Sequence, residues 1–156
     1  MDLEKAKLVL EINLWGTLDL ARQALPFLIS VTPTKPDGER GVIVMVSSSA
    51  AFDGQPGQVA YSASKGAIRS MTLPMARDLA RYGVRVVTIA PGMFDTAMTS
   101  GMSEKVRGSL LRATEWPVRA GRGEEFAHLV GAIVENTMVN GETVRLDGGV
   151  RMPSKM

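Results

Sequence analysis

The sequence reads GVIVMVSSS over residues 41–49, a continuous run of apolar and mostly β-branched residues that stops at three serines. Such a run is typical of a β-strand that is buried on both faces, as in a parallel sheet. A second run of this kind, VRVVTI over residues 84–89, stops at Ala90-Pro91-Gly92. We therefore predict two buried parallel strands, each of which ends abruptly.

Helical periodicity surrounds these strands. Residues 3–29 are predicted to form a helix that is apolar on most sides, which requires a sheet on one side and a further cover, such as another subunit, on the other. Pro26 should kink or end this helix. A second helix is predicted over residues 59–82, with a local bend at Pro74.

The remainder of the chain completes an alternating pattern. Residues 94–123 have weak periodicity and are predicted to form an excursion with one or two short helices, followed by a helix over 124–135 and a short strand over 142–146. The order of elements predicts an α/β fold with a parallel sheet and right-handed crossovers. Three strands make a thin sheet, so the buried strands require neighbours that this chain does not supply.

Composition excludes several classes of protein. The chain has 156 residues, which fits one domain or part of a larger one, and it contains no cysteine, which excludes disulfide scaffolds and thiolate chemistry. A net charge of +2 gives no reason to expect nucleic acid or an anionic membrane as a partner. The N-terminus does not resemble a signal peptide, and no apolar run is long enough to span a membrane. We expect a soluble, intracellular protein.

The strongest chemical signal is YSASK over residues 61–65. Residues four apart share a helix face, so the Tyr61 phenol and the Lys65 ammonium are expected to project together, and the cation should lower the tyrosine pKa. Ser48 follows the preceding strand, at the edge where parallel α/β sheets bind ligands, and it is better spaced from Tyr61 than Ser47 or Ser49. Its hydroxyl could bind a substrate carbonyl while Tyr61 exchanges the proton. Alternatively, the pair is a half-buried tyrosine and a surface lysine on an ordinary helix.

The order of these motifs resembles that of the short-chain dehydrogenase/reductase family. The similarity rests on VMVSSSA (44–50), YSASK (61–65), VRV (84–86), PG (91–92), DGG (147–149) and, for the asparagine-bearing helix, NLWGT (13–17). Three further stretches, AAFDGQ (50–55), TLPMARDL (72–79) and AHLV (127–130), are most similar to the type 2 3-hydroxyacyl-CoA dehydrogenases, also called 17β-hydroxysteroid dehydrogenases type 10.

The resemblance implies roles for individual residues. Tyr61 would be the general acid/base, Ser48 would orient the substrate oxygen, and Lys65 would lower the Tyr61 pKa and bind the nicotinamide ribose. Asn13 would hold a water in the proton relay behind Lys65. The residues expected along the nicotinamide and its amide or phosphates are Pro91, Gly92, Phe94 and Thr96.

The resemblance also implies a Rossmann-type, doubly wound parallel sheet whose N-terminal half is missing from this chain. Residues 1–156 would be the C-terminal part of a single domain, without the Gly-rich turn and the acidic residue that selects NAD. The cofactor is expected to be NAD, with NADP still open. The chain could be part of a longer enzyme, a short paralogue, or one of two chains that complete the site. The exposed edge of residues 42–46 should aggregate or recruit a partner.

Two functional hypotheses follow. The first is an NAD(P)-dependent oxidoreductase that interconverts a secondary alcohol and a ketone on an acyl-CoA or steroid-like substrate, with no metal, as a homodimer or homotetramer in the cytoplasm or mitochondrial matrix. The second is a truncated, non-catalytic subunit that associates with a full-length homologue. Met93, Met98 and Met102 could form an apolar substrate lid. Trp15 and Trp116 are expected to be packing residues, and the alternative is that Trp116 and Pro117 extend the lid. His128, the only histidine, is expected to be a helix residue without a metal.

Overall fold

A computed structural model describes residues 1–152 of the protein. Helix α1 (Leu3–Leu10) continues through a π-helical turn (Glu11–Trp15) into α2 (Gly16–Ser30). The predicted first helix is confirmed, but Pro26 does not end it, because α2 continues for one more turn to Ser30. None of the helices described over residues 1–152 is long and apolar enough to cross a membrane.

Three parallel strands form the sheet in the order β1 (Gly41–Val46), β2 (Val84–Pro91) and β3 (Thr143–Leu146). The predicted parallel sheet is confirmed, and the central strand β2 is buried from Val84 to Ala90. Both faces of β1 are packed against helices, as expected, but most of its residues are only partly buried, because β1 lies at an edge of the sheet among the described residues. Val46 at its end is 43% exposed.

The remaining helices follow the predicted order. After β1 and a short 3₁₀ turn (Ser49–Ala51) comes α3 (Val59–Leu79), which contains Pro74 without interruption and ends in a second 3₁₀ turn (Ala80–Tyr82). The excursion after β2 contains α4 (Ala97–Ser100) and α5 (Glu104–Arg112), as expected, and α6 (Gly123–Glu135) leads to β3.

Helices α3 and α6 cover opposite faces of the sheet. Ile43, Met45 and Val86 pack with Ile68 of α3, whereas the alternate strand residues pack with Ile133 of α6; these are Val42, Val44, Val87 and Ile89. The crossovers β1–α3–β2 and β2–α6–β3 both step in the same direction across the sheet, but each runs over a different face. Two such crossovers have opposite hands. The expectation of right-handed crossovers throughout is therefore wrong for one of them, since the excursion over residues 92–122 delivers α6 to the other face.

A buried arginine anchors the N-terminal end of β2. The Arg85 side chain is 8% exposed, and its Nε donates to Glu39 Oε1 at 2.7 Å. Its guanidinium nitrogens also donate to the carbonyl oxygens at the end of α6 and in the turn that follows, which are those of Ile133, Val134, Asn136 and Val139. These bonds pair carbonyl groups that a helix end leaves without intrahelical partners.

Candidate active site

A cavity of about 360 Å³ lies at the C-terminal ends of β1 and β2, beside the start of α3. This is the edge at which open α/β sheets bind ligands. Ser48, Tyr61, Gly92 and Phe94 are the predicted site residues that line it. Four of the eight predicted site residues therefore face one cavity at the expected end of the sheet, and their roles stay predictions.

Tyr61 and Lys65 lie one turn apart near the start of α3. The Lys65 Nζ is 6.0 Å from the centroid of the Tyr61 ring and donates to the Val46 carbonyl oxygen at 3.0 Å. Partial burial removes water from the ammonium group and lowers the pKa of Lys65. The Tyr61 side chain remains partly exposed, at 37% for the residue. Lysine and tyrosine thus share one helix face, as their spacing predicts, and their chemical roles stay predictions.

The three serines after β1 have different environments. The Ser48 Oγ accepts from the Ala50 backbone N–H at 3.1 Å and lines the cavity. Ser47 is 2% exposed and its hydroxyl donates instead to the Lys65 carbonyl oxygen at 2.7 Å, which ties β1 to α3. Ser49 also lines the cavity. The preference for Ser48 over Ser47 therefore agrees with the alternation of side chains at the strand end.

Asn13 contacts the site helix through a buried serine. Its Nδ2 donates to Ser64 Oγ at 3.0 Å, and the Ser64 hydroxyl donates to the Tyr61 carbonyl oxygen at 2.7 Å. Asn13 lies in the π-helical turn, a distortion that is frequent at functional sites. Ser64 is not among the site residues predicted from the sequence, although it lies within the quoted motif of residues 61–65. Its full burial beside Tyr61 depends on the packing of α1 against α3.

The expected cofactor residues are divided between the cavity and its surroundings. Gly92 donates its N–H to the Leu146 carbonyl oxygen at 3.0 Å, and a Cβ there would lie 2.9 Å from Asp147 Cβ, so only glycine fits without rearrangement. Phe94 lines the cavity and makes an edge-to-face contact with Phe126. Pro91 ends β2 and is not among the residues that line the cavity.

Thr96 has a local role at the start of α4. Its Oγ1 accepts from the Thr99 N–H, and the Thr99 hydroxyl accepts from the Thr96 N–H, which makes a capping box. Thr96 does not line the cavity, and its hydroxyl is engaged by its own helix. Its expected contact with the cofactor stays a prediction.

Methionines form one wall of the cavity. Met93, Met98 and Met102 line it together with Leu110 of α5. Met98 is 89% exposed and Met102 is 40% exposed, so this wall is open to solvent. Trp116 is 80% exposed and does not line the cavity, so the suggested extension of the lid to this residue has no support in the geometry.

The loop between β1 and α3 contributes a residue that the sequence analysis missed. Gln55 lines the cavity and is 8% exposed, and its Nε2 has no hydrogen-bond partner among the described residues. Its backbone N–H donates to Gln58 Oε1 at 3.0 Å, which fixes the loop. The only sequence signal was its position between Ser48 and Tyr61, in a stretch that we used for resemblance alone.

An arginine holds the same loop against the end of β3. Arg145 donates to Asp53 at 2.7 Å and to Asp147 at 2.6 Å. The Phe52 ring has the guanidinium of Arg145 at 4.7 Å and that of Arg69 at 4.4 Å from its centroid. These charge-assisted bonds and cation–π contacts fix the loop that carries Gln55.

Comparison with protein families identifies a model that matches most of the chain. The model described as short chain dehydrogenase matches residues 1–107. The chain is 50% identical to the 3-hydroxyacyl-CoA dehydrogenase type-2 of Drosophila melanogaster and to that of Homo sapiens. Each alignment covers 96% of this chain, but only 58% and 57% of the respective relatives. The chain thus spans less than two thirds of their length.

Solved structures are also similar to this chain, which again covers less than two thirds of each of them. The crystal structure of a 3-hydroxyacyl-CoA dehydrogenase type-2 from Mycobacterium avium has a TM-score of 0.91 at 34% identity, over 99% of this chain and 59% of that one. A 3-oxoacyl-[acyl-carrier protein] reductase from Brucella melitensis, solved with bound NAD, has a TM-score of 0.83 at 29% identity. That alignment covers 98% of this chain and 54% of the reductase.

Proposed function

Because the chain belongs to the short-chain dehydrogenase/reductase family, we propose that it supplies the catalytic residues of an oxidoreductase that interconverts a secondary alcohol and a ketone. The observation that carries the proposal is the shared cavity of Ser48 and Tyr61, with Lys65 one turn from the tyrosine. The fold class and the family agree with it. The proposal concerns the site, since the chain spans about 57% of the human relative's length.

In the proposed reduction, Ser48 and Tyr61 bind the ketone oxygen. The Ser48 oxygen accepts a bond from Ala50, which leaves its own proton free to donate to a substrate. Tyr61 donates its hydroxyl proton to the same oxygen as negative charge develops there, and it takes the proton back in the oxidation direction. The Lys65 ammonium stabilises the negative charge on the tyrosine oxygen. Asn13 and Ser64 hold the backbone of Tyr61 in place.

The described residues fit the nicotinamide end of NAD or NADP. Gly92 and Phe94 share the cavity with Tyr61, and Lys65 offers a partly buried cation that could bind ribose hydroxyls. When bound, the nicotinamide supplies or accepts the hydride. We propose NAD as the cofactor, with NADP as the alternative, since the related reductase from Brucella melitensis was solved with NAD.

The proposed substrate is a 3-hydroxyacyl-CoA or its 3-oxo form, with a hydroxysteroid as the alternative. Support comes from the apolar methionine wall of the cavity and from the names of the relatives, which are 3-hydroxyacyl-CoA dehydrogenases and 3-oxoacyl reductases. The compartment, cytoplasm or mitochondrial matrix, remains part of the proposal.

Tyr61→Phe tests the proposal, with Tyr82→Phe as its matched control. Tyr82 is the other tyrosine of the chain; it lies in the turn after α3 and contacts Arg81. Loss of the acid/base should lower the rate of NADH-dependent reduction of acetoacetyl-CoA about 10²–10⁴-fold, while the control keeps the wild-type rate. Equal rates for the wild type and Tyr61→Phe would contradict the proposal.

A second candidate, a non-catalytic subunit, is favoured by the exposed apolar surface of the first helices. Leu8, Ile12 and Trp15 are more than half exposed, and so are Leu20 and Phe27 of α2. Such a surface indicates burial against another chain. In this second candidate that chain is a full-length homologue, whereas the oxidoreductase of the first candidate would form a homodimer or homotetramer through the same face. Calorimetric titration with NADH separates the candidates, because a non-catalytic subunit should associate without saturable cofactor binding.

A further inference from the structure

Among residues 1–152, the Gln55 carboxamide is the one buried polar side chain on the cavity that the proposed reaction does not use. The residue is 8% exposed, and its Nε2 makes no hydrogen bond within residues 1–152. A buried amide without a partner reduces the stability of the fold, so each such group requires an explanation. Ser62 Oγ is also unpaired, but Ser62 does not line this cavity.

The described surroundings of Gln55 hold its backbone but give its Nε2 no hydrogen-bond partner. The Gln55 N–H donates to Gln58 Oε1, and its carbonyl oxygen accepts from the Gln58 N–H, both at 3.0 Å. The loop is further fixed by the bond between Asp53 and Arg145. A fixed backbone with an unused donor beside a cavity is the arrangement expected of a ligand-binding residue. Rotation about the terminal bond of glutamine is easy, so the amide can turn towards a ligand.

We infer that Gln55 is a substrate-binding residue that donates a hydrogen bond to a second acceptor oxygen, distinct from the oxygen at the reacting carbon. The inference rests on the proposed function, since Ser48 and Tyr61 already account for the first oxygen. It favours one of the two proposed substrate classes. A 3-oxoacyl thioester has a second carbonyl close to the first, whereas a steroid with one ketone would leave the Gln55 amide unpaired in a wall of methionines.

A pair of ligands isolates the second oxygen. The first is the N-acetylcysteamine thioester of acetoacetate, and the second is the matching thioether ketone, in which a methylene replaces the thioester carbonyl. Their affinities are measured by calorimetry with NAD present, since the oxidised cofactor cannot reduce a ketone. We expect the wild-type protein to bind the thioester about tenfold more tightly, the effect of roughly one well-placed hydrogen bond.

Gln55→Met removes the donor and conserves the length of the side chain. We expect this variant to bind the thioester about tenfold more weakly and to bind the thioether as the wild type does. Gln23→Met is the matched control: Gln23 Nε2 donates to Asp19 on the exposed face of α2, away from the cavity, and its loss should change neither affinity. Because the Gln55 Nε2 has no hydrogen-bond partner among residues 1–152, the melting temperature of Gln55→Met should equal or exceed that of the wild type.

The outcomes separate this inference from the proposed function. Three results would overturn the role of Gln55 alone. The wild type could bind both ligands with equal affinity, Gln55→Met could lose affinity for both ligands equally, or that variant could have a lower melting temperature. Binding of neither ketone by the wild type would overturn the proposed function and the inference with it.

Discussion

The two ends of strand β2 differ in how completely their buried polar groups are paired. At the N-terminal end, Arg85 bonds to Glu39 and to four carbonyl oxygens around the end of α6. At the C-terminal end, and within the part of the chain that the structure describes, the Gln55 Nε2 has no partner and the Lys65 ammonium has a single hydrogen bond, to a backbone carbonyl oxygen. One sheet therefore has one end whose polar groups serve folding and another whose donors remain available to a ligand.

We propose that this difference separates polar residues that stabilise the fold from polar residues that bind a ligand. Burial alone does not separate the two kinds of residue, because Arg85 and Gln55 are both less than 9% exposed. The two residues differ instead in how many of their hydrogen-bonding groups find a partner within the fold. Substitutions of the paired polar residue at the N-terminal end should therefore change stability, and substitutions of the polar residues with unused donors at the C-terminal end should change activity or ligand binding.

The largest expected effect is that of Arg85→Met on stability. The change leaves the Glu39 carboxylate and the carbonyl oxygens around the end of α6 without their donor, so we expect a loss of about 3–5 kcal/mol in the free energy of unfolding. Urea denaturation measures it. Arg22→Met is the control, because the pair of Arg22 and Asp19 is exposed and screened by solvent and should contribute far less. A similar loss of unfolding free energy in both variants would contradict the distinction between the buried and the exposed arginine.

Lys65→Met tests the other end. Loss of the cation that stabilises charge on the tyrosine oxygen should lower the rate of ketone reduction about 10²-fold, or roughly 2.7 kcal/mol in activation free energy. Stability should not fall, because the Val46 carbonyl oxygen lies on a partly exposed residue and can bond to water instead. Steady-state kinetics and urea denaturation of the same preparation measure both quantities. If Lys65→Met were less stable but fully active, Lys65 would stabilise the fold and would have no role in the reaction.

The pH dependence of Lys65 gives a signed test of the same point. Burial lowers its pKa in the folded state, so the unfolded chain binds more protons between the folded and unfolded pKa values. Below that window the folded state bears the full cost of the buried charge. Stability of the wild type relative to Lys65→Met should therefore rise as pH increases through the window towards 10.4, the approximate pKa of a free lysine. A relative stability that falls with pH would contradict this.

Gly92→Ala should affect the ligand end through packing. A methyl group at this position would lie 2.9 Å from Asp147 Cβ and 3.0 Å from its Cα, so we expect a loss of about 1–3 kcal/mol. Gly131→Ala on α6 is the control, since nothing lies within 4 Å of its Cβ position, and it should stabilise the protein by about 0.5–1 kcal/mol. Thermal unfolding compares the two, and an equal response would contradict the close approach at Gly92.

The smallest effect is expected at an exposed ion pair of α6. Hydrogen bonds from the Arg119 side chain and the Arg122 backbone lower the pKa of Glu125 to about 2. Its contribution to stability is thus present above the unfolded pKa of about 4.3 and is lost as pH falls towards 2. Glu125→Gln should reduce this acid-dependent loss, while Glu124→Gln, which makes the same change in charge beside it, should retain it. Unfolding at several pH values measures the slope.

Sequence periodicity predicted the elements of the fold well, because each depends on local order. The strand over residues 41–46 has the predicted bounds, and the predicted helices are present with ends shifted by only a few residues. The hand of the crossovers was not predicted correctly, because the excursion over residues 92–122 contains no signal for the face on which it returns. The π-helical turn at Asn13 was also absent from the prediction, which treated residues 3–29 as regular.

The site was predicted in part. Tyr61 and Lys65 are four residues apart on one helix, so sequence spacing alone determines their shared face. Ser64 and Gln55 were not predicted, because they are buried by residues distant in the sequence and are distinguished only by the hydrogen bonds that each makes or lacks. Thr96 was selected by resemblance, but its hydroxyl is engaged in a local capping box.

Transfer of deuterium tests the central claim most directly. The protein is incubated with acetoacetyl-CoA and NADH that carries deuterium at the transferred position of C4, and the product is analysed by mass spectrometry. The account predicts one deuterium on the hydroxyl-bearing carbon of 3-hydroxybutyryl-CoA, formed by the wild type and Tyr82→Phe and nearly lost in Tyr61→Phe. Absence of labelled product from the wild type, or equal labelling by Tyr61→Phe, would contradict the account.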